Sequence, residues 1–283
     1  MANVLLAWPN LIDGAVLSGG AWQIALPALQ DRRLARVART TDLSAANTQF
    51  TVDLKSPTRQ QIVAIVNHNL TTQATWRVRL SNDATFSTSD YDSGWMRAWP
   101  VIYTPDMLEW EDDNWWEGTI SEADRAGYPA LLILRLDRIY LARYLHFEFR
   151  DAANPDGYLQ FGRPFISTSW QPAYNMSYGA TAGWSTDTTM QRSLGGTPYF
   201  DRKSPRRTEK FSLDFLSPDE AWGKVFEMHR VLGTDGEVLV AWDVADPYNL
   251  LRFSFLGHLT DLSPATAVFL NNFSNPITIE ELT

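Results

Sequence analysis

The sequence predicts an all-β protein that is mainly antiparallel and carries one α-helix. Residues 76–80 and 145–150 alternate apolar with charged or polar side chains, which places one set on a core face and the other toward water. Residues 62–66 are continuously apolar, as in a strand that is buried on both faces. Clusters of Asn, Asp, Gly and Pro separate these runs and predict the turns between strands.

Two loops of the N-terminal half are predicted to have structural roles. Residues 67–69 form an Asn-His-Asn corner after the buried strand, and such side chains satisfy loop backbone groups. Residues 151–157 contain Asn-Pro-Asp-Gly and predict a turn, although their oxygens could also ligate a cation. We favour the structural interpretation at both places.

The length of 283 residues allows one large domain or two ordinary ones, and we place a boundary near residue 165. The predicted domains are residues 1–163, a β-sandwich, and residues 164–283, a β-domain. Residues 164–210 are rich in Gly, Ser, Thr, Pro, Tyr and Trp. Because structureless loops of this length are uncommon in compact domains, the segment is predicted to contain short strands or to form an arm on a neighbouring subunit.

One helix is predicted over about residues 218–232. Ser217 provides the N-cap, Pro218 the first helical position and Glu220 the partner of a capping box. Gly233 marks the C-terminal end. The face predicted to be buried against the C-terminal sheet comprises Trp222, Val225, Phe226 and Leu232. Further strands are predicted at residues 211–215, 238–242 and 251–255.

Composition excludes or disfavours several classes of function. The chain has 24 basic and 33 acidic residues, a net charge of −9, and phosphate binding requires a positive field, so nucleic acid is not expected as a partner. The absence of Cys excludes disulfides, thiolate nucleophiles and Cys-based metal sites. The four His residues are widely separated, and we expect neither a metal site nor a cofactor. No run of about 18 apolar residues predicts a membrane span.

The segment from residue 95 to residue 117 combines tryptophans with carboxylates. Such a set can hydrolyse glycosides, bind sugar without cleaving it, or hold a cation such as calcium. The spacing lacks the D-x-[DN]-x-[DN]-G pattern of calcium loops. The residues alone favour an acidic loop whose tryptophans anchor it to the core. The candidates for binding a glycan or a partner are Trp95, Trp99, Glu109, Trp110, Asp112, Asp113, Trp115 and Trp116.

The sequence predicts that the protein is not an enzyme. It contains no G-x-S-x-G, P-loop, G-x-G-x-x-G or H-E-x-x-H motif. No nucleophile with an orienting base can be named, so no catalytic residue is assigned. The alternative from the enzyme class is a glycoside hydrolase that uses Glu109, Glu111, Asp112 or Asp113.

Basic residues are concentrated at two places in this acidic chain. In an assembly these residues could meet acidic surfaces of neighbouring copies, whereas in a monomer they would form a solvated face. The first group lies between residues 32 and 39. The second group supplies the candidates for contacts between subunits, which are Arg202, Lys203, Arg206, Arg207 and Lys210.

Several stretches of the N-terminal half follow the order of a known fold. They are residues 10–15, 38–41, 48–54, 60–70 and 76–80. In this order they resemble the opening and the first core strands of discoidin-like jelly-roll β-sandwiches, over about residues 1–163. The resemblance implies a jelly-roll-like sandwich that binds glycans or protein partners and is not catalytic.

The order of the whole chain resembles minor tail proteins of long-tailed bacteriophages, including distal-tail-type baseplate proteins. The stretches concerned are residues 154–163, 206–222 and 255–262. The resemblance implies a structural virion protein of the tail tip, assembled in the cytoplasm of a bacterial host, which connects the tail tube to the tip or fibres. It implies a ring of copies, six-fold as the first choice and three-fold as the second. Other tail proteins and a host surface glycan are the further expected partners.

Overall fold

The computed structural model describes residues 3–100, 103, 107–111, 115, 118, 120, 130–246 and 249–283. The strands up to residue 170 are β1 Leu5–Ala7, β2 Val16–Ser18, β3 Trp22–Ile24, β4 Ala38–Thr40, β5 Gln49–Val66, β6 Thr75–Ser81, β7 Tyr91–Asp92, β8 Met96–Arg97, β9 Leu131–Arg150, β10 Gln160–Phe161, β11 Pro164–Ser167 and β12 Ser169–Trp170. Two short 3-10 helices, Leu11–Gly14 and Leu26–Gln30, lie among them.

The remaining strands are β13 Thr181–Ser185, β14 Thr189–Arg192, β15 Pro198–Asp201, β16 Arg206–Leu216, β17 Glu237–Ala241, β18 Ser254–Leu259, β19 Thr266–Phe269 and β20 Asn272–Glu281. One helix, α1, precedes β17 and runs through Pro218–Glu220, a π-helical stretch Ala221–Phe226, and Glu227–Leu232. Strand pairing is mainly antiparallel. The predicted all-β class with one helix is confirmed.

The chain divides into two compact units. The first contains Met1–Gln171 and Leu239–Phe255, and the second contains Pro172–Val238 and Leu256–Thr283. The sequence prediction places the boundary between residues 163 and 164 and assigns everything after it to the second domain. In the structure the first unit extends to residue 171 and also includes residues 239–255.

The first unit contains a large sheet with strand order β11-β5-β9-β6-β7, in which β2 also pairs with β5 and β8 with β6. The long strands β5 and β9 form its centre, with Phe50 opposite Phe147 and Val63 opposite Leu134. A smaller sheet has the order β10-β4-β3. Outside these sheets, β1 pairs with β12 and with residues 239–241.

Aromatic side chains fill the space between the two sheets of the first unit. Phe50, Phe147 and Phe149 come from the large sheet, and the ring of Phe50 stacks on that of Phe147 at 4.7 Å. Trp22 and Phe161 come from the small sheet. The ring centroids of Phe149 and Phe161 are 4.2 Å apart, and those of Trp22 and Phe50 are 5.9 Å apart. These contacts across the layers make the first unit a β-sandwich.

The second unit contains strands in the order β18-β20-β16-β13, with β19 also paired to β20. Alternate residues of β16 and β20 are buried, including Phe211, Leu213, Ile277 and Ile279. This alternation agrees with the strand predicted at residues 211–215. The β-sheet therefore has one core face and one outer face in this part of the chain.

The helix α1 has the predicted bounds, and two of the four residues predicted to be buried, Val225 and Leu232, are buried. Its Ser217–Glu220 capping box is present. Trp222 and Phe226, which the sequence analysis places against the sheet, are 50% and 54% exposed, so that prediction is wrong. Adjacent helical residues point roughly 100° apart, and the core stripe lies one position earlier along the helix. The buried side chains are Ala221, Val225, Met228 and Leu232.

The segment 164–210 contains short strands, which was one of the two possibilities that its composition predicts. Strand β13 pairs with β16, and β14 pairs with β15 to form a separate hairpin. Every residue of this hairpin, from Thr189 to Asp201, is exposed. The hairpin therefore has no core beneath either of its faces within the chain.

Two predicted strands differ in detail. Strand β17 is buried along its whole length instead of alternating. Within the predicted strand 251–255, residues 251–253 form a turn and β18 begins at Ser254. Phe253 stacks on Trp242 at 5.4 Å and its carbonyl accepts from the Trp242 backbone N–H, so local contacts replace the expected strand pairing there.

Candidate functional site

The tryptophan and carboxylate segment is described only in part. Asp112, Asp113 and Trp116 lie outside the described residues. The rings of Trp110 and Trp115 meet edge to face, with centroids 6.1 Å apart. Trp110 is 69% exposed, and Glu109 beside it is also exposed. This pair is the portion of the predicted glycan- or partner-binding surface that the structure brings together.

Trp99 belongs to the core. Only 2% of the residue is exposed, and its indole N–H donates to the Leu70 carbonyl at 2.9 Å. The His68 ring packs against it edge to face at 5.3 Å. Its assignment to a binding surface is therefore corrected, because both its ring faces and its single donor serve the fold.

Trp95 has a cationic neighbour that the sequence analysis did not identify. The guanidinium carbon of Arg150 lies 3.7 Å from the centre of the Trp95 ring. Arg150 ends strand β9 and is exposed, whereas Trp95 is half-buried. Cation–π contact at this distance holds the indole ring in place. An exposed guanidinium stacked on an indole can present hydrogen-bond donors next to an apolar surface.

Charged residues form a network on the outer face of the large sheet. The carboxylate of Glu148 on β9 lies 3.2 Å from Arg79 and 3.6 Å from Arg77, which are on β6. Arg77 also donates to the Asp92 carboxylate, at 2.8 Å through its Nε. This hydrogen bond is the main reason that the pKa of Asp92 is lowered to about 2. An arginine of the same face thus keeps Asp92 ionised.

His146 lies beside this network on β9. Burial lowers its pKa below the usual range, although Glu148 acts in the opposite direction. Its ring nitrogens are 2.9 Å from the Thr51 hydroxyl and 3.1 Å from the Gln49 side-chain oxygen. Both ring nitrogens therefore have partners on β5, and the imidazole has a fixed position.

The carboxyl groups whose pKa values are clearly perturbed all share one direction. Within the described part of the chain, each such pKa is lowered, and each lowering has hydrogen-bond donors or arginines as its main cause. A carboxylic acid that protonates a leaving group needs a raised pKa instead. The groups concerned are Asp31, Asp53, Asp83, Asp92 and Asp214.

The corner at residues 67–69 and the turn at 151–157 have the structural roles that the sequence predicts. The Asn67 side chain donates to the Leu34 carbonyl at 2.7 Å. The Asp151 carboxylate accepts from the Thr71 backbone N–H at 2.8 Å and hydroxyl at 2.7 Å. The Asn154 side chain donates to it at 2.9 Å. Hydrogen-bond donors thus occupy the oxygens that could otherwise ligate a cation.

The basic residues near the start of β16 have different surroundings. Arg207 is buried and its Nε donates to Glu281 at 2.9 Å, so its assignment to a subunit interface is corrected. Arg206 pairs with Glu280 at 2.9 Å and with Asp187. Lys203 pairs with Asp201 at 3.1 Å. Arg202 and Lys210 are exposed. Of the five candidates, Arg202, Lys203 and Lys210 therefore remain at the surface for contacts with another molecule.

An apolar groove on the second unit was not found by the sequence analysis. It lies between α1 and the loop before β19, and its volume is about 490 Å³. Trp222 and Phe226 form one wall, and Leu262, Pro264 and Ala265 form the other. The Trp222 ring also meets Phe273 edge to face at 5.3 Å. The signal available in the sequence was two adjacent apolar stripes on one helix, of which the sheet covers only one.

The described residues provide neither a metal-binding cluster nor a membrane-spanning helix. In that part of the chain, no three His, Asp or Glu side chains come close enough together to hold a metal ion. Among the same residues, no helix has the length and apolar character needed to cross a membrane.

Comparison with known proteins gives no match to a family model and no match to a curated protein. Among solved structures, a CBM32 domain from a family 31 glycoside hydrolase of Clostridium perfringens has 11% identity and a TM-score of 0.35, covering 57% of this chain and 99% of its own. The lectin domain of Lectinolysin complexed with Lewis B antigen has 16% identity and a TM-score of 0.35, covering 56% of this chain and 96% of its own.

A GH29 fucosidase of Ruminococcus gnavus in complex with fucose has 13% identity and a TM-score of 0.37. That alignment covers 57% of this chain and 27% of the fucosidase. At these TM-scores the similarities carry no argument about the fold or the function of this chain.

Proposed function

We propose that this chain is a non-enzymatic structural subunit of a bacteriophage tail tip or baseplate, and that copies of it assemble into a ring. The sandwich unit then connects the ring to neighbouring tail proteins or fibres. The second unit supplies the contacts between copies. The protein's place is the virion tail, after assembly in the bacterial host.

The distribution of exposed apolar side chains is the observation that carries this proposal. Among the described residues, fifteen of the twenty-one exposed large apolar side chains lie in the second unit, which is about a third of the chain. They include Trp184, Tyr199, Phe200 and Phe269. Monomeric soluble proteins rarely expose apolar surface in such concentration, and interaction surfaces commonly do. A surface of this kind supports permanent assembly better than it supports catalysis.

Two further observations support a role without catalysis. The perturbed carboxyl pKa values of the described residues are lowered, which keeps these groups ionised at neutral pH. The sequence also lacks a nucleophile with an orienting base. The bacteriophage setting rests on the resemblance of residues 154–163, 206–222 and 255–262 to tail proteins.

The mass of the purified protein in solution tests the assembly part of the proposal. Sedimentation velocity over a range of concentrations is expected to show a closed oligomer, six-fold first and three-fold second. A protein that stays monomeric at the highest soluble concentration would contradict it. Cryo-EM of assembled tails tests the setting, because rings of this chain should then appear at the tail tip.

A carbohydrate-binding module is the second candidate function. The exposed ring of Trp110, in contact with Trp115 and next to Glu109, is the observation that favours it. A glycan array with the purified protein tests this candidate. Binding that Trp110→Ala abolishes, and that Trp184→Ala on the second unit leaves unchanged, would establish it. Cleavage of any array glycan, lost in Glu109→Gln, would instead contradict the non-enzymatic proposal.

A further inference from the structure

The β14–β15 hairpin is amphipathic although nothing in its own chain covers it. Directly opposed residues of antiparallel strands lie on the same face, and successive residues alternate between faces. One face carries the pair Met190 and Phe200 and the pair Arg192 and Pro198. The other face carries the pair Gln191 and Tyr199 and the pair Thr189 and Asp201. The first face is therefore largely apolar, and the second is largely polar.

An uncovered apolar face is unfavourable for so small an element. A two-stranded hairpin is at best marginally stable alone in water, and it becomes stable when one face packs on another element. Leu194 at the tip of the hairpin is fully exposed, and Phe200 is 63% exposed. The apolar face therefore requires a surface that this copy of the chain does not provide.

The groove beside α1 is a surface of matching character. Trp222, Phe226, Leu262 and Pro264 give it apolar walls, and its volume of about 490 Å³ lies within the size range of binding pockets. Trp222 and Phe226 are the two aromatic side chains of α1 that the sheet leaves about half exposed. Every copy of the chain thus carries both an uncovered apolar hairpin and an apolar groove.

The charges of the two elements are complementary. Residues 186–204, which contain the hairpin, carry Arg192, Arg202, Lys203, Asp187 and Asp201 and have a net charge of +1. Helix α1 and residues 261–265 carry four acidic and two basic residues and have a net charge of −2. The residues counted on the groove side are Asp219, Glu220, Lys224, Glu227, Arg230 and Asp261. The lining of the groove itself includes Arg230, which pairs with Glu227 at 2.6 Å, so the excess acidic charge lies on the rest of α1 and on Asp261.

We propose that the β14–β15 hairpin of one copy lies in the α1 groove of the next copy, with the apolar pair Met190 and Phe200 facing Trp222 and Phe226. This inference rests on the proposed function, since it names the contact by which the copies assemble. The two surfaces are different, so the contact is head to tail, and it closes into a ring when the rotation between copies allows it.

Disulfide cross-linking between two variants tests the contact directly, because the chain has no cysteine of its own. One variant carries Leu194→Cys at the hairpin tip, and the other carries Ala265→Cys in the groove with a different affinity tag. The two variants are mixed and oxidised, and the yield of mixed disulfide is measured. This yield should be several-fold higher than the yield from Leu194→Cys mixed with the control Val16→Cys on the sandwich. Val16 is 51% exposed, so reactivity alone does not favour the groove.

A pair of neighbouring substitutions provides a second test. Phe200→Asp is expected to raise the concentration at which oligomers form by about tenfold or more, because it places a charge in an apolar contact. Tyr199→Asp, on the opposite face of the same strand, should leave that concentration unchanged. Neither change should lower thermal stability of the monomer, since both side chains are already exposed.

The outcomes distinguish a failure of the proposed interface from a failure of the proposed function. If oligomers form, show no specific cross-link and tolerate Phe200→Asp, the proposed interface is overturned but the proposed assembly function stands. Another protein or ligand would then fill the groove. A protein that remains monomeric and forms no mixed disulfide at any soluble concentration would overturn both. A specific cross-link together with the selective effect of Phe200→Asp would establish the contact.

Discussion

Arg163 shows what a single residue contributes inside the sandwich. Its guanidinium is almost completely buried, although free arginine is strongly hydrated. It donates to the Gln30 carbonyl at 2.7 Å and pairs with the Asp13 carboxylate. A buried charge of this kind is tolerated only when its donors are satisfied. The residue therefore joins the two 3-10 helices, at 11–14 and 26–30, to the strand β11 that follows it.

Replacing Arg163 by Ala is expected to destabilise the protein by about 1–3 kcal/mol, because the change removes a buried side chain and leaves the Gln30 carbonyl without its donor. Urea denaturation followed by tryptophan fluorescence measures the loss. The matched control is Arg33→Ala, which removes an exposed pair with Asp31 and should leave the midpoint unchanged. Equal effects of the two changes would contradict the role of Arg163.

Asp214 is predicted to make stability depend on pH. The nearby hydroxyls of Ser177, Ser212 and Ser274 hold the pKa of Asp214 below its usual range. The stabilisation is therefore complete above the ordinary carboxyl pKa and is lost as the pH falls through the lower pKa of the folded state. The wild type should be more stable than Asp214→Asn at neutral pH, and the difference should shrink below about pH 4. A difference that grows on acidification would contradict this.

Individual binding residues were the least predictable part of the sequence. The capping residues Ser217 and Glu220 act on backbone within the same turn, so the local sequence is enough to identify them. Trp99 and Arg207 are buried by residues far away in the sequence, Leu70 and Glu281, and nothing local distinguishes them from exposed members of their clusters. Exposure is a tertiary property, and a residue type alone does not determine it.

The helix α1 also has features that local sequence determines and features that tertiary contacts determine. Its bounds follow from Ser217, Pro218 and Gly233, and the prediction of residues 218–232 is confirmed. Its buried face could not be predicted as reliably, because two apolar stripes lie side by side on α1. The π-helical stretch Ala221–Phe226 also departs from the regular helical period on which a prediction of the face depends.

Two truncations on α1 test which stripe belongs to the core. Met228→Ala is expected to lower the free energy of unfolding by about 2–5 kcal/mol, since Met228 is completely buried. Phe226→Ala removes more atoms but should cost below about 1 kcal/mol, because its ring is more than half exposed. Thermal and chemical denaturation of both variants provide the measurement. A larger cost for Phe226→Ala would restore the face that the sequence analysis favoured.

The hairpin could have been predicted in more detail than the composition of its segment suggests. Residues 193–197, which separate the two short runs, contain Gly195 and Gly196, and a loop of this length with Gly is a recognised hairpin signal. What the pattern does not provide is the surface that covers the apolar face. That surface depends on other parts of the fold or on another molecule, and it has no local signal.

For the molecule as a whole, assembly is expected to change the sites of proteolysis. Trypsin should cut the free subunit first after Arg192, Arg202 and Lys203, because the hairpin and the residues after it are exposed. In the oligomer the same bonds should be cut several-fold more slowly, as the neighbouring copy covers them. Mass spectrometry of the early fragments from separated monomer and oligomer fractions measures the ratio.

The control for this experiment lies on the sandwich. Cleavage after Arg36, an exposed residue of the first unit, should proceed at the same rate in both fractions. Uniform protection of all these bonds in the oligomer would mean that the whole chain becomes more resistant to trypsin. That result would contradict the claim that the neighbouring copy covers the hairpin in particular.

The division into units shows the limit of sequence patterns at this scale. Alternating runs predict most strands, and a change of composition places a boundary within a few residues of the end of the sandwich. The assignment of residues 239–255 to the first unit could not be predicted. It depends on pairing between strands more than 200 residues apart, such as Leu6 with Val240, and such pairing leaves no mark in the local sequence.

The pairing of β1 with residues 239–241, late in the chain, has a consequence for synthesis on the ribosome. Strand β1 is translated more than 200 residues before its partner at residues 239–241, which comes about 70 residues after the first unit has otherwise ended. At roughly 5–20 residues per second, that interval lasts roughly 3 to 14 s. During it one edge of β1 is an unpaired strand on the nascent chain, open to wrong pairing with neighbouring chains on the same messenger RNA. Codon choice across residues 172–238 therefore sets how long this edge stays open, and slower translation there should lower the yield of correctly folded protein.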